Sequence, residues 1–87
     1  MKSTERIGST KRVNIDAEGQ YYVRGKILSL EQLVSVLQLA HVNNPTRASV
    51  IIRADRRCRW QYVVASINAC LKANIRNYRV TAREDEP

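Results

Sequence analysis

Apolar and polar positions change period several times along the chain, and each change marks an element. Val13 and Ile15, then Tyr21 and Val23, alternate with polar residues, and Asp16-Ala17-Glu18-Gly19 lies between them. This is the pattern of a β-hairpin whose loop closes through a positive φ at Gly19. A second break at Arg24-Gly25-Lys26 leads into a short third strand at Ile27 and Leu28. The period then becomes helical. Ser29 followed three residues later by Gln32 forms a capping box, so a helix is expected from Leu30. Leu30, Leu33, Val34, Leu37 and Ala40 fall on one face, and Asn43-Asn44-Pro45 ends the element. Val36 and Leu39 point away from that face and are expected to be exposed.

The stretch from Ala48 to Ala54, with Val50, Ile51 and Ile52, is a nearly unbroken apolar run, as in a strand buried on at least part of both faces. Trp60, Val63, Val64, Ile67 and Leu71 return to helical spacing, and Asn74 suits a left-handed residue after the helix. Tyr78, Val80 and Ala82 alternate with Arg79, Thr81 and Arg83 in a last strand before the acidic tail, residues 84–87. The order is β-β-β(short)-α-β-α-β. The final strand-helix-strand unit implies two parallel strands with a right-handed crossover. The fold class expected is α+β: two layers, with a small mixed sheet carrying two helices on one face.

A chain of 87 residues holds one domain with a thin core. Residues 1–12 are rich in charge, Ser and Thr with only Ile7 apolar, and read as a flexible basic arm ahead of a folded domain at residues 13–83. The net charge of +7 favours polyanionic partners. No stretch approaches the roughly 20 apolar residues of a membrane-spanning helix, and the start lacks a signal-peptide core.

The candidate chemistry is sparse. Cys58 and Cys70 are twelve positions apart. If one helix joins them, their Cα atoms lie about 18 Å apart, beyond disulfide reach. His41 is the single histidine and no CxxC is present, so no metal set or cofactor site is expected. Cys58, between Arg57 and Arg59, is the thiol whose pKa guanidiniums would lower, but it has no histidine to activate it. Cys70 fits a small core residue. The chain is not expected to be an enzyme.

Three surfaces remain as candidates, the weakest of them the exposed apolar pair Val36 and Leu39 on the first helix. In the loop formed by residues 53–59, Arg56, Arg57 and Arg59 suit a polyanion: nucleic acid, with Trp60 stacking on a base, or an anionic cell-wall or membrane polymer. Alternatively, the loop is solvated, Asp55 pairs or caps locally, and Trp60 packs in the core, in phase with Val64, Ile67 and Leu71. The phase favours packing. The second candidate is the last strand, Tyr78, Arg79, Val80, Thr81, Ala82 and Arg83, which would accept another strand if it lies at the sheet edge, unless its arginines are there to discourage pairing.

Taken in order, "VNIDAEGQYYVRGKILSLEQLVSVLQ", "VIIRADRRCRWQYVVASINACLKANIRNYRV" and "TARE" resemble the periplasmic domain of the ExbD/TolR biopolymer-transport family over about residues 12–84. The likeness lies in the sequence of elements: strand, acidic-Gly turn, Tyr-Val strand, Ser-Leu-Glu helix start, apolar strand ending in Arg-Ala-Asp, and closing strand. The resemblance implies a dimeric, non-enzymatic module that transmits proton-motive-force work across the periplasm while tethered to the inner membrane. The partners it implies are an ExbB/TolQ-like channel protein, a TonB/TolA-like protein and a cell-wall polymer. The family's transmembrane helix, with its proton-coupling aspartate, is absent from this sequence, so no residue here is expected to inherit that role. Asn74 stands where the family usually has Gly, and the arginines at 56, 57 and 59 replace a less basic loop.

Overall fold

A computed structural model describes residues 10–83 of the chain. Most of the expected arm, residues 1–9, and the acidic tail, residues 84–87, lie outside the described residues. Five strands and two helices follow in the order β1 (Thr10–Ile15), β2 (Tyr21–Val23), β3 (Lys26–Leu28), α1 (Leu30–Asn43), β4 (Ser49–Asp55), α2 (Trp60–Lys72) and β5 (Tyr78–Arg83). The fold is α+β, with a mixed sheet in the order β3-β2-β1-β4-β5. The pairs β1/β2 and β2/β3 are antiparallel, whereas β1/β4 and β4/β5 are parallel.

β1 begins at Thr10, three residues ahead of the apolar alternation at Val13. Its polar start is recruited by the neighbour: Thr10, Lys11 and Arg12 pair in register with Ser49, Val50 and Ile51 of β4. The hydroxyls of Thr10 and Ser49 are hydrogen-bonded at 3.1 Å, across 39 residues of sequence.

Register decides the two faces of the sheet. Val13 and Ile15 of β1, Tyr21 and Val23 of β2, and Val50, Ile52 and Ala54 of β4 are buried beneath the helices. Leu33, Leu37 and Ala40 of α1 and Val63, Ala69 and Cys70 of α2 meet them from above. The apolar run in β4 is buried mainly on this side, since Ile51 is half-buried and Arg53 exposed on the other.

Local chemistry sets the ends of the elements. The Ser29 hydroxyl accepts from the Gln32 amide at 3.1 Å, and the Gln32 side chain accepts from the Ser29 amide at 2.8 Å. Asn44 caps the other end of α1, and Asn74, at φ +63°, leads the chain out of α2. Arg24 and Gly25, at φ +56° and +80°, make the two-residue turn between β2 and β3, where a primed turn matches the strand twist.

The β1–β2 turn is tied more tightly. Asp16 Oδ1 accepts from the Glu18 and Gln20 amides at 3.0 and 2.9 Å, and Oδ2 accepts from the Tyr22 hydroxyl at 3.1 Å. Gly19, at φ +88°, lies against the ring of Tyr62 on α2, and Tyr21 donates its hydroxyl to the Tyr62 carbonyl at 2.9 Å. The hairpin loop is thereby clamped to the first turn of the second helix.

Two predictions follow from this clamp. A Cβ at residue 19 would stand 2.6 Å from two ring carbons of Tyr62 and 2.7 Å from its Cγ, an atom too near the backbone to swing aside. Gly19→Ala is therefore expected to destabilise the fold by about 2 kcal/mol or more. Gly25→Ala, which meets nothing within 4 Å, carries only the φ penalty and should cost less in the same urea titration. The second concerns acid. Burial pushes the Asp16 carboxyl up, but hydrogen bonds from Gln20, Tyr22, Glu18 and Gly19 outweigh it and hold the pKa below the ordinary aspartate value. The contribution of this carboxylate is present above its unfolded pKa and lost as pH falls through the lower folded one, so melting temperature should drop below about pH 4. Asp16→Asn should flatten that drop.

Candidate functional site

β5 ends the sheet, with β4 on one side and no strand on the other among the described residues. The Val50 amide donates to the Asn77 carbonyl at 3.0 Å, which fixes the phase of the ladder. Backbone groups in a parallel ladder turn alternately toward the two sides, so Arg79 and Thr81 face β4, whereas Tyr78, Val80 and Ala82 present their N–H and C=O groups to the open edge. That edge is a template for another strand.

The side chains beside it are also uncovered. Val80 pairs in register with Ile52, which is fully buried, yet Val80 itself is 37% exposed on the helix side of the sheet. Val80, Ala82, Ala54, Trp60 and Val63 line a shallow cleft of about 230 Å³, together with Asp55, Arg56, Cys58 and Thr81. Trp60 is 66% exposed.

This overturns the expectation that Trp60 packs in the core. Trp60, Val64, Ile67 and Leu71 do share one side of α2, but the helix buries the adjacent stripe of Val63, Ser66, Ala69 and Cys70. That stripe is built mostly of small side chains, and the Ser66 hydroxyl is satisfied by donating to the Val63 carbonyl at 2.7 Å. The larger residues stay more exposed, Val64 at 38% and Leu71 at 48%, and Leu71 lines a groove beside Leu30 and Val34 of α1. The recurrence of Ser66, Ala69, Cys70 and Ala73 was the available sequence signal.

The arginine loop is divided by its own chemistry. Asp55 is nearly buried. Its Oδ1 accepts from the Arg57 amide at 2.8 Å and from Nε at 3.0 Å, and its Oδ2 accepts from Nη2 at 3.1 Å. The guanidinium fork of Arg57 is thus committed to a carboxylate two residues away. Arg56 and Arg59 are exposed, and Arg59 occupies the N-cap of α2 without a side-chain capping bond. Asp55 pairs locally, as one reading of the sequence anticipated.

The thiols follow their surroundings. The Cys58 pKa is raised, first by burial and then by the charges of Asp55 and Asp16, which reverses the expectation that neighbouring guanidiniums lower it. Cys70 is fully buried, which pushes its pKa up to about 11. Both cysteines are free, and His41 is half-buried near the end of α1. Among the described residues no group of three or more His, Cys, Asp or Glu is placed to hold a metal ion.

On α1, Leu39 is 61% exposed and Val36 half-buried, and the exposed Val42 extends the same side one turn further. This patch is separate from β5, because α1 contacts β3 at the opposite margin of the sheet.

No helix among the described residues is long and apolar enough to cross a membrane. A comparison with curated proteins returned no match. Residues 5–85 match the model of the family described as biopolymer transport protein ExbD/TolR, a family of non-enzymatic transport subunits anchored in the membrane with a periplasmic domain. That match spans nearly the whole chain, including every described element from the clamped hairpin to β5, and this protein belongs to the ExbD/TolR family.

Proposed function

We propose that this chain is the periplasmic working domain of a proton-motive-force-driven motor of transport or envelope maintenance, acting by dimerisation and by capture of a partner strand along β5. The observation that carries the reading is the coincidence of two features: outward backbone groups at Tyr78, Val80 and Ala82, and the apolar cleft between Val80 and Trp60. The backbone edge supplies affinity for an extended segment, and the cleft supplies a pocket for alternate side chains of that segment. Both suit the same occupant.

In this reading the domain works beside an ExbB/TolQ-like channel protein and engages a TonB/TolA-like protein or a cell-wall polymer. It is tethered at the inner membrane and catalyses no reaction. The patch at Val36 and Leu39 is a second, weaker contact. A different reading is favoured by one observation: Trp60 is exposed and adjoins Arg59, so a single-stranded nucleic acid can reach both. Quenching of Trp60 fluorescence by a single-stranded oligonucleotide, reversed by salt, would support it. The commitment of Arg57 to Asp55 weakens that alternative.

Val80→Pro separates the readings. Proline removes an outward-facing amide while leaving the β4–β5 ladder bonds in place, and edge strands tolerate it. The variant should keep the parent's far-ultraviolet circular dichroism but lose self-association by about tenfold or more, in keeping with one lost backbone hydrogen bond and a blocked edge. Light scattering at low and high salt measures this. Unchanged association in a folded variant would reject β5 as the interface.

A further inference from the structure

Among the described residues no element covers the face of the sheet opposite the helices, and that face carries a compact group of arginines. Register places Arg12 of β1, Ile51 of β4 and Arg79 of β5 in one row across three strands. Arg53 lies one step along β4, in a row with Asn14 and Thr81. Neighbouring strands are about 4.8 Å apart and alternate residues about 7 Å apart, so the three arginine Cα atoms form a triangle with sides of roughly 8–10 Å around Ile51. All three side chains are exposed, and Ile51 is half-buried among them.

Among the described residues no carboxylate stands directly across a strand from any of the three. The nearest along β4 is Asp55, which is engaged by Arg57. Of the other acidic residues described, Asp16 and Glu18 lie in the β1–β2 turn and Glu31 in the first turn of α1. Like charges gathered on one side of a sheet repel one another, so an anionic partner is favoured there.

We propose that this open face docks on an anionic phospholipid surface, with Arg12, Arg53 and Arg79 engaging lipid phosphates around Ile51. A broad sheet face presents its charges toward one plane, as a bilayer presents its phosphates. The apolar tips fit the same partner: Ile27, 56% exposed, extends from this face at the β3 margin, in register with Tyr22. The Tyr22 hydroxyl is donated to Asp16, so that ring is held in the turn instead of being presented as a platform for stacking bases. A membrane-anchored family keeps the domain within reach of a bilayer. The proposal does not depend on strand capture at β5, whose outward groups lie in the plane of the sheet and not on this face.

The test is co-sedimentation of the whole chain with phosphatidylcholine vesicles and with vesicles containing one third phosphatidylglycerol. Binding should require the anionic lipid and weaken with salt. Each arginine is worth about fivefold near such a surface, so Arg12→Gln with Arg79→Gln should lose roughly 25-fold, and adding Arg53→Gln on the order of a hundredfold. Arg56→Gln with Arg59→Gln removes the same charge as the first pair from another surface and should lose far less. The replacements are at exposed positions, and circular dichroism checks that they fold; should the glutamine variants unfold, arginine-to-lysine variants at the three positions should retain most of the binding, and its loss there overturns the electrostatic account. Equal losses in the two double variants would reduce the effect to net charge and overturn the proposal. So would absence of binding to the anionic vesicles, or tighter binding to an oligonucleotide or polyglutamate than to those vesicles.

Discussion

The parallel ladder between β1 and β4 is the contact on which the rest of the structure depends. It joins an amino-terminal meander of three strands to a carboxy-terminal strand-helix-strand unit, two pieces that would otherwise each expose an apolar sheet face. Val13 and Ile15 come from one piece, Val50 and Ile52 from the other, and all four are at most 1% exposed. A pairing closed over nearly forty residues carries a loop-closure cost that local contacts do not. The Gly19–Tyr62 contact and the Tyr21 hydroxyl bond reinforce that junction from the other end of the hairpin, where loop and second helix meet.

From this junction follows the uneven cover of the sheet. Two helices of 14 and 13 residues do not roof all five strands: α1 reaches the β3 margin and α2 packs on β4, over a core that includes the buried apolar residues of β1 and β4. β5 is left with one flank unpaired and its helix side partly open. A small domain with a thin core normally hides such an edge or blunts it with charge. Here the charges of β5 are placed on the opposite face, at Arg79, while the apolar Val80 stays beside the exposed Trp60. Edge and cleft are thus left compatible with an incoming strand.

Most of what was legible in the sequence is local. The capping box at Ser29 and Gln32, the turn residues Gly19 and Gly25, and the alternation of β5 each depend on neighbours a few positions away, and each appears where the pattern places it. The β4–β5 parallel pair also follows, because one crossover helix leaves few topologies. The β1–β4 pairing was not readable, since nothing in Thr10, Lys11 or Arg12 announces a strand until β4 supplies the partner. The face of α2 was misread for a different reason. Hydrophobicity ranks Trp60 and Leu71 above Ser66 and Ala69, yet the stripe that α2 buries is built mostly of small side chains and the larger residues stay exposed. The open edge is therefore half-legible: β5 could be named from the sequence, whereas its apolar wall could not.

Topology also separates the two contacts proposed for the domain. Strand addition at β5 uses backbone hydrogen bonds and apolar burial, both of which respond weakly to ionic strength. The arginine face uses exposed charges, whose reach contracts from about 10 Å to about 3 Å as salt rises from 0.1 M to 1 M. One lies in the plane of the sheet and the other projects from it, so a strand bound at the edge leaves Arg12 and Arg53 clear. The two proposed contacts therefore do not compete: the order β3-β2-β1-β4-β5 places β5 outermost and, among the described residues, leaves one face without helices.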